Sequence, residues 1–181
     1  MTVATDWIRS GDVRYHADLE RLLVDIDSVT QHPDNYNNGD LDAITESIET
    51  NGMYRPVYAQ RSTGYLVAGN HTWVVCKSLH ALQIPVVFLD VSDIAAKRIL
   101  VSDNQIASLA MPDPGMLLQL LEELEAAEGL MGTGVDPSEL DRLRNLADPD
   151  APFPMLPDAI KAANKCPSCG YEWNGSPRQG A

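Results

Sequence analysis

The stretch Tyr65-Leu66-Val67-Ala68-Gly69-Asn70-His71-Thr72-Trp73-Val74-Val75-Cys76-Lys77 decides how this chain is read. A short apolar strand runs into a glycine, then through three polar residues, then directly into a helix. The first turn of a helix has unpaired N–H groups and the positive end of its dipole, which suits an anion. Gly69 lets the backbone approach closely, while Asn70, His71 and Thr72 add side-chain donors. Two readings stand: an anion site, or an ordinary helix start capped by Asn70 or Thr72.

Outward from this turn the elements alternate. Upstream, residues 21–27 read as a strand. Leu41, Ile44 and Ile48 share one helical face, with Asp40 as N-cap and Gly52 past the end. The strands 56–60 and 65–68 are joined by the turn signal Arg61-Ser62-Thr63-Gly64. Downstream, the helix opened at Gly69 is expected to run to about Leu82. A strand over 84–90 and a helix from about Ser92 follow. The pattern predicts a compact α+β domain over 20–110 with a small, partly mixed sheet. Residues 1–19 show no sustained periodicity and read as an N-terminal arm. Residues 111–147 read as an acidic helical extension, with helices over about 114–127 and 137–146 separated by Gly132-Thr133-Gly134. Residues 148–158 carry Pro149, Pro152, Pro154 and Pro157 and read as an extended linker. A tail over 159–181 has its own signature, Cys166-Pro167-Ser168-Cys169-Gly170.

Composition limits what such a chain can do. The 181 residues include 13 Lys+Arg against 26 Asp+Glu, a formal net charge of −13. Broad binding to nucleic acid or an anionic membrane is carried by Lys and Arg, so strong intrinsic DNA binding is not expected. With 44% apolar residues there is enough to bury a core. No apolar run approaches the ~18 residues of a membrane span, and the first residues have no signal-peptide core. Three cysteines make no disulfide framework, so a reducing cytoplasm is the expected location.

The ordered set of motifs resembles the N-terminal domain of the ParB/sulfiredoxin superfamily, nearest to short ParB-like proteins of actinobacterial phages. The motifs are "SIETNG", "RPVY", "LVAGNHT", "IPVVFLDV" and "SDNQIASLA", and the resemblance covers about residues 20–110. It implies a cytoplasmic setting in a bacterium or a phage-infected host, and a nucleotide ligand, CTP, ATP or ADP, with Mg²⁺. ParB proteins bind and hydrolyse CTP on this fold, an ADP-dependent serine kinase transfers phosphate on it, and sulfiredoxins reduce a cysteine sulfinic acid with ATP. By this resemblance Gly69, Asn70, His71 and Thr72 match the phosphate-binding box, which is Gly-Glu-Arg-Arg in ParB and Gly-Cys-His-Arg in sulfiredoxin. Asn70 stands where the sulfiredoxin cysteine would be, so a sulfinic-acid reductase is excluded for want of the thiol. Asp103 and Asn104 match the acid and amide of a second nucleotide motif. Thr72 and Ala107 stand where that pattern has arginines, which removes bidentate phosphate clamps. Arg55, Arg98, Lys77 and Lys97 are the cations that could replace them.

Asp40, with Asp42 and Glu46 nearby, is the candidate general base of a kinase-like reaction, or simply a helix cap. His32 sits in the loop that borders the nucleotide pocket in this superfamily; it also reads as a surface-loop histidine. His16 and His80 have no evident partner, and Cys76 reads as a small buried residue. Cys166 and Cys169 look like one knuckle, half of a zinc ribbon. A structural zinc needs about four ligands, so the expectation is zinc shared with a partner, most simply a second copy of the chain. The alternative is a tail with free thiols. Functionally, the leading expectation is a nucleotide-binding ParB-like protein with slow NTP hydrolysis or phosphotransfer in DNA-related physiology. The alternative is a regulatory or adaptor module with a decayed pocket that binds protein partners, and a ParB-like nuclease ranks below both.

Overall fold

A computed structural model of the chain describes residues 7–147 together with residues 164, 165, 168, 172 and 173. The chain divides into two compact units, Met1–Arg144 and Asn145–Ala181. In the second, β8 (Asn164–Lys165) pairs antiparallel with β9 (Glu172–Trp173).

The first unit is built on a five-stranded mixed sheet. Its strands are β3 (Leu23–Asp25), β4 (Thr30–Gln31), β5 (Val57–Gln60), β6 (Tyr65–Ala68) and β7 (Gln83–Leu89), in the order β3-β7-β5-β6-β4. β7 lies antiparallel to β3 and parallel to β5, β5 is antiparallel to β6, and β6 is parallel to β4. Helix α1 (Leu41–Asn51) connects β4 to β5, α2 (Asn70–Ser78) connects β6 to β7, and α3 (Asp93–Ser108) follows β7. The apolar faces of the strands and the inner faces of α1 and α2 form one core, with Leu66 and Ile84 fully enclosed and Val57, Val75 and Val86 nearly so. This is a mixed α+β domain with a small sheet. No helix among the described residues is long and apolar enough to cross a membrane.

The caps follow the sequence signals at most ends. Asp40 Oδ1 accepts from Ala43 N at 3.0 Å, and Gly52 closes α1 with its N–H on Ile48 O at 2.9 Å. Ser92 caps α3, and Asp113 caps α4 (Pro114–Ala127). Helices α4 and α5 (Pro137–Ala147) close a second small core around Leu121, Leu140 and Leu143.

Three expectations are corrected. Within 21–27 only Leu23–Asp25 is strand. It is flanked by 3-10 turns at Ala17–Leu22 and Ile26–Ser28, the latter started by Asp25 Oδ1 accepting from Asp27 N. Helix α2 stops at Ser78, well short of Leu82. His80 takes a left-handed φ of 55°, and Ala81 N bonds back to Cys76 O at 3.0 Å, a C-terminal closure that turns the chain into β7. Residues 7–16, read above as part of an arm, form a hairpin of β1 (Trp7–Ser10) and β2 (Val13–His16). Its Val13 and Tyr15 belong to the main core. Tyr15 OH donates to Gln83 O at 2.6 Å, and Arg14 donates to Glu49 O and Thr50 O at the C-terminus of α1.

Burial in this core raises two acidities. The Tyr15 phenol is pushed up by desolvation, and the Cys76 thiol is pushed up to about 12 from the ordinary 9.0 for the same reason. Both groups hold their protons more tightly when folded, so above pH ~9 the unfolded chain releases protons first and stability falls as pH rises. Urea unfolding should therefore show stability dropping by about 1.4 kcal/mol per pH unit from Cys76 alone between pH ~9.5 and ~11.5. The Cys76→Ala variant, though less stable, should lose that part of the slope; an unchanged slope would refute the assignment.

Candidate phosphate site

The turn after β6 is shaped by sterics before any ligand is considered. Gly69 is the N-cap of α2 with φ 81° and ψ 25°, a left-handed conformation that side chains rarely adopt. A Cβ there would also lie 2.6 Å from Val57 Cγ1. No side chain caps α2: neither Asn70 nor Thr72 plays the part that the ordinary-cap reading gave them.

Asn70 turns inward instead. It is 6% exposed, its Oδ1 accepts from His32 N at 2.9 Å, and its Nδ2 donates to Leu66 O at 3.2 Å. One amide thus ties β6, the start of α2 and the segment after β4 together. His32 is equally buried, at 6% exposed, so the surface-loop reading of this histidine is corrected. Its Nδ1 accepts from Asp34 N at 3.1 Å, and its ring packs on Tyr65 with centroids 5.6 Å apart.

The loop that continues from His32 to Asp40 is pinned by polar contacts to both helices. His71 Nε2 accepts from Gly39 N at 3.1 Å, which leaves Nδ1 as the ring's donor. Asn104 Oδ1 accepts from Asn37 Nδ2 at 3.1 Å, and Gln105 Nε2 donates to Tyr36 OH at 3.2 Å. Lys97 Nζ meets Asp34 Oδ2 at 2.6 Å; this contact holds the Asp34 carboxyl below and the Lys97 ammonium above its ordinary range. Asn104 Nδ2 is buried without a hydrogen-bond partner, a donor that the protein itself leaves unused.

Four of the residues singled out from sequence share one cavity. Gly69, Thr72, Arg55 and Asp103 line a space of about 70 Å³ at the turn. Arg55 and Thr72 also line a second cavity of about 300 Å³, walled by Asp40 at the N-cap of α1, by Ser47 and Ile48 of α1 and by Gly132, Thr133 and Gly134 of the α4–α5 loop. That loop is seated on α1 at both of its polar ends: Gly132 N donates to Glu46 Oε1 at 2.6 Å, and Asn51 Nδ2 donates to Gly132 O at 2.9 Å. Of the other candidate cations, Lys77 pairs with Asp27 at 2.6 Å and Lys97 with Asp34. Arg98 lines a separate groove on α3 with Ser102, Asp103 and Ile106. His71 and Asn104 line neither of the two cavities that meet at Arg55; they hold the 32–40 loop. Sequence reasoning gave no role to Tyr58, which lines the smaller cavity, or to Tyr54 and Thr133, which line the larger one. The only signal was the Gly132-Thr133-Gly134 break, read as a plain helix separator. Cys166 and Cys169 lie outside the described residues.

No family model and no curated protein matches the sequence. Among solved structures, the C-terminally truncated chromosome-partitioning protein ParB from Caulobacter crescentus, complexed with CTP-gamma-S, matches with a TM-score of 0.56. The identity is 20%, over 71% of this chain and 79% of that chain. The fold is ParB-like. The same Caulobacter protein complexed to the centromeric parS site matches at 19% identity over 71% and 73% of the two chains, with a TM-score of 0.37, too low to carry any argument. At this level of identity the ParB-like fold is what the likeness establishes.

Replacing Asn70 tests the turn's construction. Asn70→Ala leaves His32 N and Leu66 O without their side-chain partner in a buried place, where each lost partner costs about 1–3 kcal/mol. Urea unfolding should show a total loss of about 2–4 kcal/mol, while Thr72→Ala at the same turn should stay within ~1 kcal/mol of the parent. Equal effects for the two variants would contradict the inward role of Asn70.

Proposed function

We propose that this chain is a nucleotide-binding protein of the ParB-like fold that holds its ligand by phosphate between the Gly69–Thr72 turn and Arg55. The observation that carries the reading is the meeting of an uncapped helix N-terminus, the Thr72 hydroxyl and the Arg55 guanidinium at one small cavity, with a larger cavity opening from the same two side chains. Backbone N–H groups and one guanidinium are the donors that bind phosphate oxygens. The ParB chain with which it shares its fold is itself complexed with CTP-gamma-S.

The residues fit a bound nucleotide in one further respect. The larger cavity has the size at which small-molecule sites begin, about 300 Å³. Mg²⁺, where the ligand brings it, would be met by Asp103, the carboxylate at the turn. Hydrolysis or transfer would need a base, and Asp40 is the acid of the larger cavity; its Oδ1 is engaged at Ala43 N, which makes binding the primary reading and catalysis a secondary one. The strongly acidic chain argues against intrinsic DNA recognition.

A second reading, an adaptor that recruits a protein, is favoured by the strip Ile106, Leu109, Met111 and Met116 across the α3–α4 junction, which stands open to solvent.

Thermal unfolding with CMP, CTP, AMP, ADP and ATP tests the proposal. At ~100 times its dissociation constant a ligand adds about 2.7 kcal/mol of stability, a rise of several degrees. At least one nucleotide should produce this rise, and Arg55→Ala should remove it without lowering the ligand-free midpoint by more than ~2 °C. A flat response to every nucleotide at millimolar concentration would hand the case to the adaptor reading.

A further inference from the structure

We infer that the ligand carries a single phosphoryl group: a nucleoside monophosphate in preference to a triphosphate. The inference rests on the nucleotide-binding reading above and narrows it by charge and by room.

The room is divided unequally. The cavity at the turn measures about 70 Å³ and is closed by Val57, Tyr58, Gly69 and Asp103. The cavity beyond Arg55 and Thr72 measures about 300 Å³, with Ala43, Ile44 and Ile48 among its apolar walls and Ser47, Tyr54 and Thr133 as polar ones. A compact anion suits the first. A flat ring with its sugar suits the second, where apolar walls can cover the faces of a base and hydroxyls can meet its edges.

The charges point the same way. Among the described residues Arg55 is the one cationic side chain lining either cavity, and it forms no salt bridge there. Thr72, where the resemblance would place an arginine, supplies a hydroxyl and no charge. Lys77 and Lys97 are engaged with Asp27 and Asp34. Each cavity also carries one carboxylate, Asp103 at the turn and Asp40 beyond it. The groove next to the larger cavity is lined by Asp40, Asp42, Glu46, Glu128 and Asp136, with no cation among the described residues. A phosphate monoester brings about −1.5 to −2 charges, which one guanidinium and a helix N-terminus can meet. Two more phosphoryl groups would set additional negative charge against Asp103 or Asp40, and among the described residues no second cation lines either cavity; Arg98, the other unpaired candidate, lines the α3 groove. A divalent cation is the remaining way to offset that charge, and Asp103 is the side chain that would have to hold it.

Calorimetric titration of the full chain with CMP, CDP and CTP and with AMP, ADP and ATP, each in EDTA and in MgCl₂, separates the possibilities. The expected order is monophosphate over diphosphate over triphosphate, with the ends of the series about tenfold or more apart in EDTA and the same order kept in Mg²⁺. Asp103→Asn, at an exposed position of α3, should raise triphosphate affinity more than monophosphate affinity. A triphosphate that binds tighter than its monophosphate in Mg²⁺, and loses that advantage in Asp103→Asn, would overturn the inference while leaving the nucleotide-binding reading intact. If none of the six binds in either condition, the nucleotide-binding reading falls and takes this inference with it.

Discussion

The buried amide of Asn70 is the contact on which the rest of the site depends. It faces two backbone groups, His32 N and Leu66 O, that no other side chain bonds among the described residues, and it sits where unpaired polar atoms are costly. Because Asn70 points inward, α2 begins without a side-chain cap and its first turn is left for something else to satisfy. The same side chain ties the segment after β4 to β6, and the loop that continues to Asp40 meets His71 of α2 and Asn104 of α3. His71, Asn104, Gln105 and Lys97 then have the loop within reach. One hydrogen-bonded side chain therefore orders three segments far apart in sequence.

Charge decides what that ordered turn can hold. Two of the four candidate cations, Lys77 and Lys97, are neutralised by carboxylates of their own, and those pairs are solvent-exposed, where ion pairs contribute little to stability. Among the described residues that leaves Arg55 at the meeting of the two cavities and Arg98 on the α3 groove. The α4–α5 hairpin contributes through Gly132, which is held at its N–H and its carbonyl by side chains of α1. A Cβ there would lie 2.7 Å from Thr50 Cβ, so the close approach that walls the larger cavity requires glycine.

Much of this was legible in the sequence where the signal is local. The Asp40 and Ser92 caps, the Arg61–Gly64 turn, the strand-to-glycine-to-helix junction at Gly69 and the two helices of the extension all announce themselves within a few residues. What was not legible depends on distant partners. The β1–β2 hairpin is only two four-residue strands around Gly11-Asp12, and its stability comes from placing Val13 and Tyr15 in the core. The end of α2 depends on His80 accepting a left-handed backbone, which residue preference alone argues against. Asn70 read as a cap or a phosphate donor because its true partners lie 38 residues upstream and one turn back. Which of the four cations lines the turn depends on distant side chains: Lys77 and Lys97 meet Asp27 and Asp34, and Arg98 lies in the α3 groove.

Backbone amide shifts in a two-dimensional ¹⁵N–¹H spectrum, followed while CMP or AMP is added, test the central claim most directly. The account predicts that the largest changes fall on Gly69, Asn70, His71 and Thr72, with smaller ones at Arg55, Thr133 and Gly134. Changes centred on the α3 groove around Arg98 and Ile106, or no changes at millimolar ligand, would contradict it.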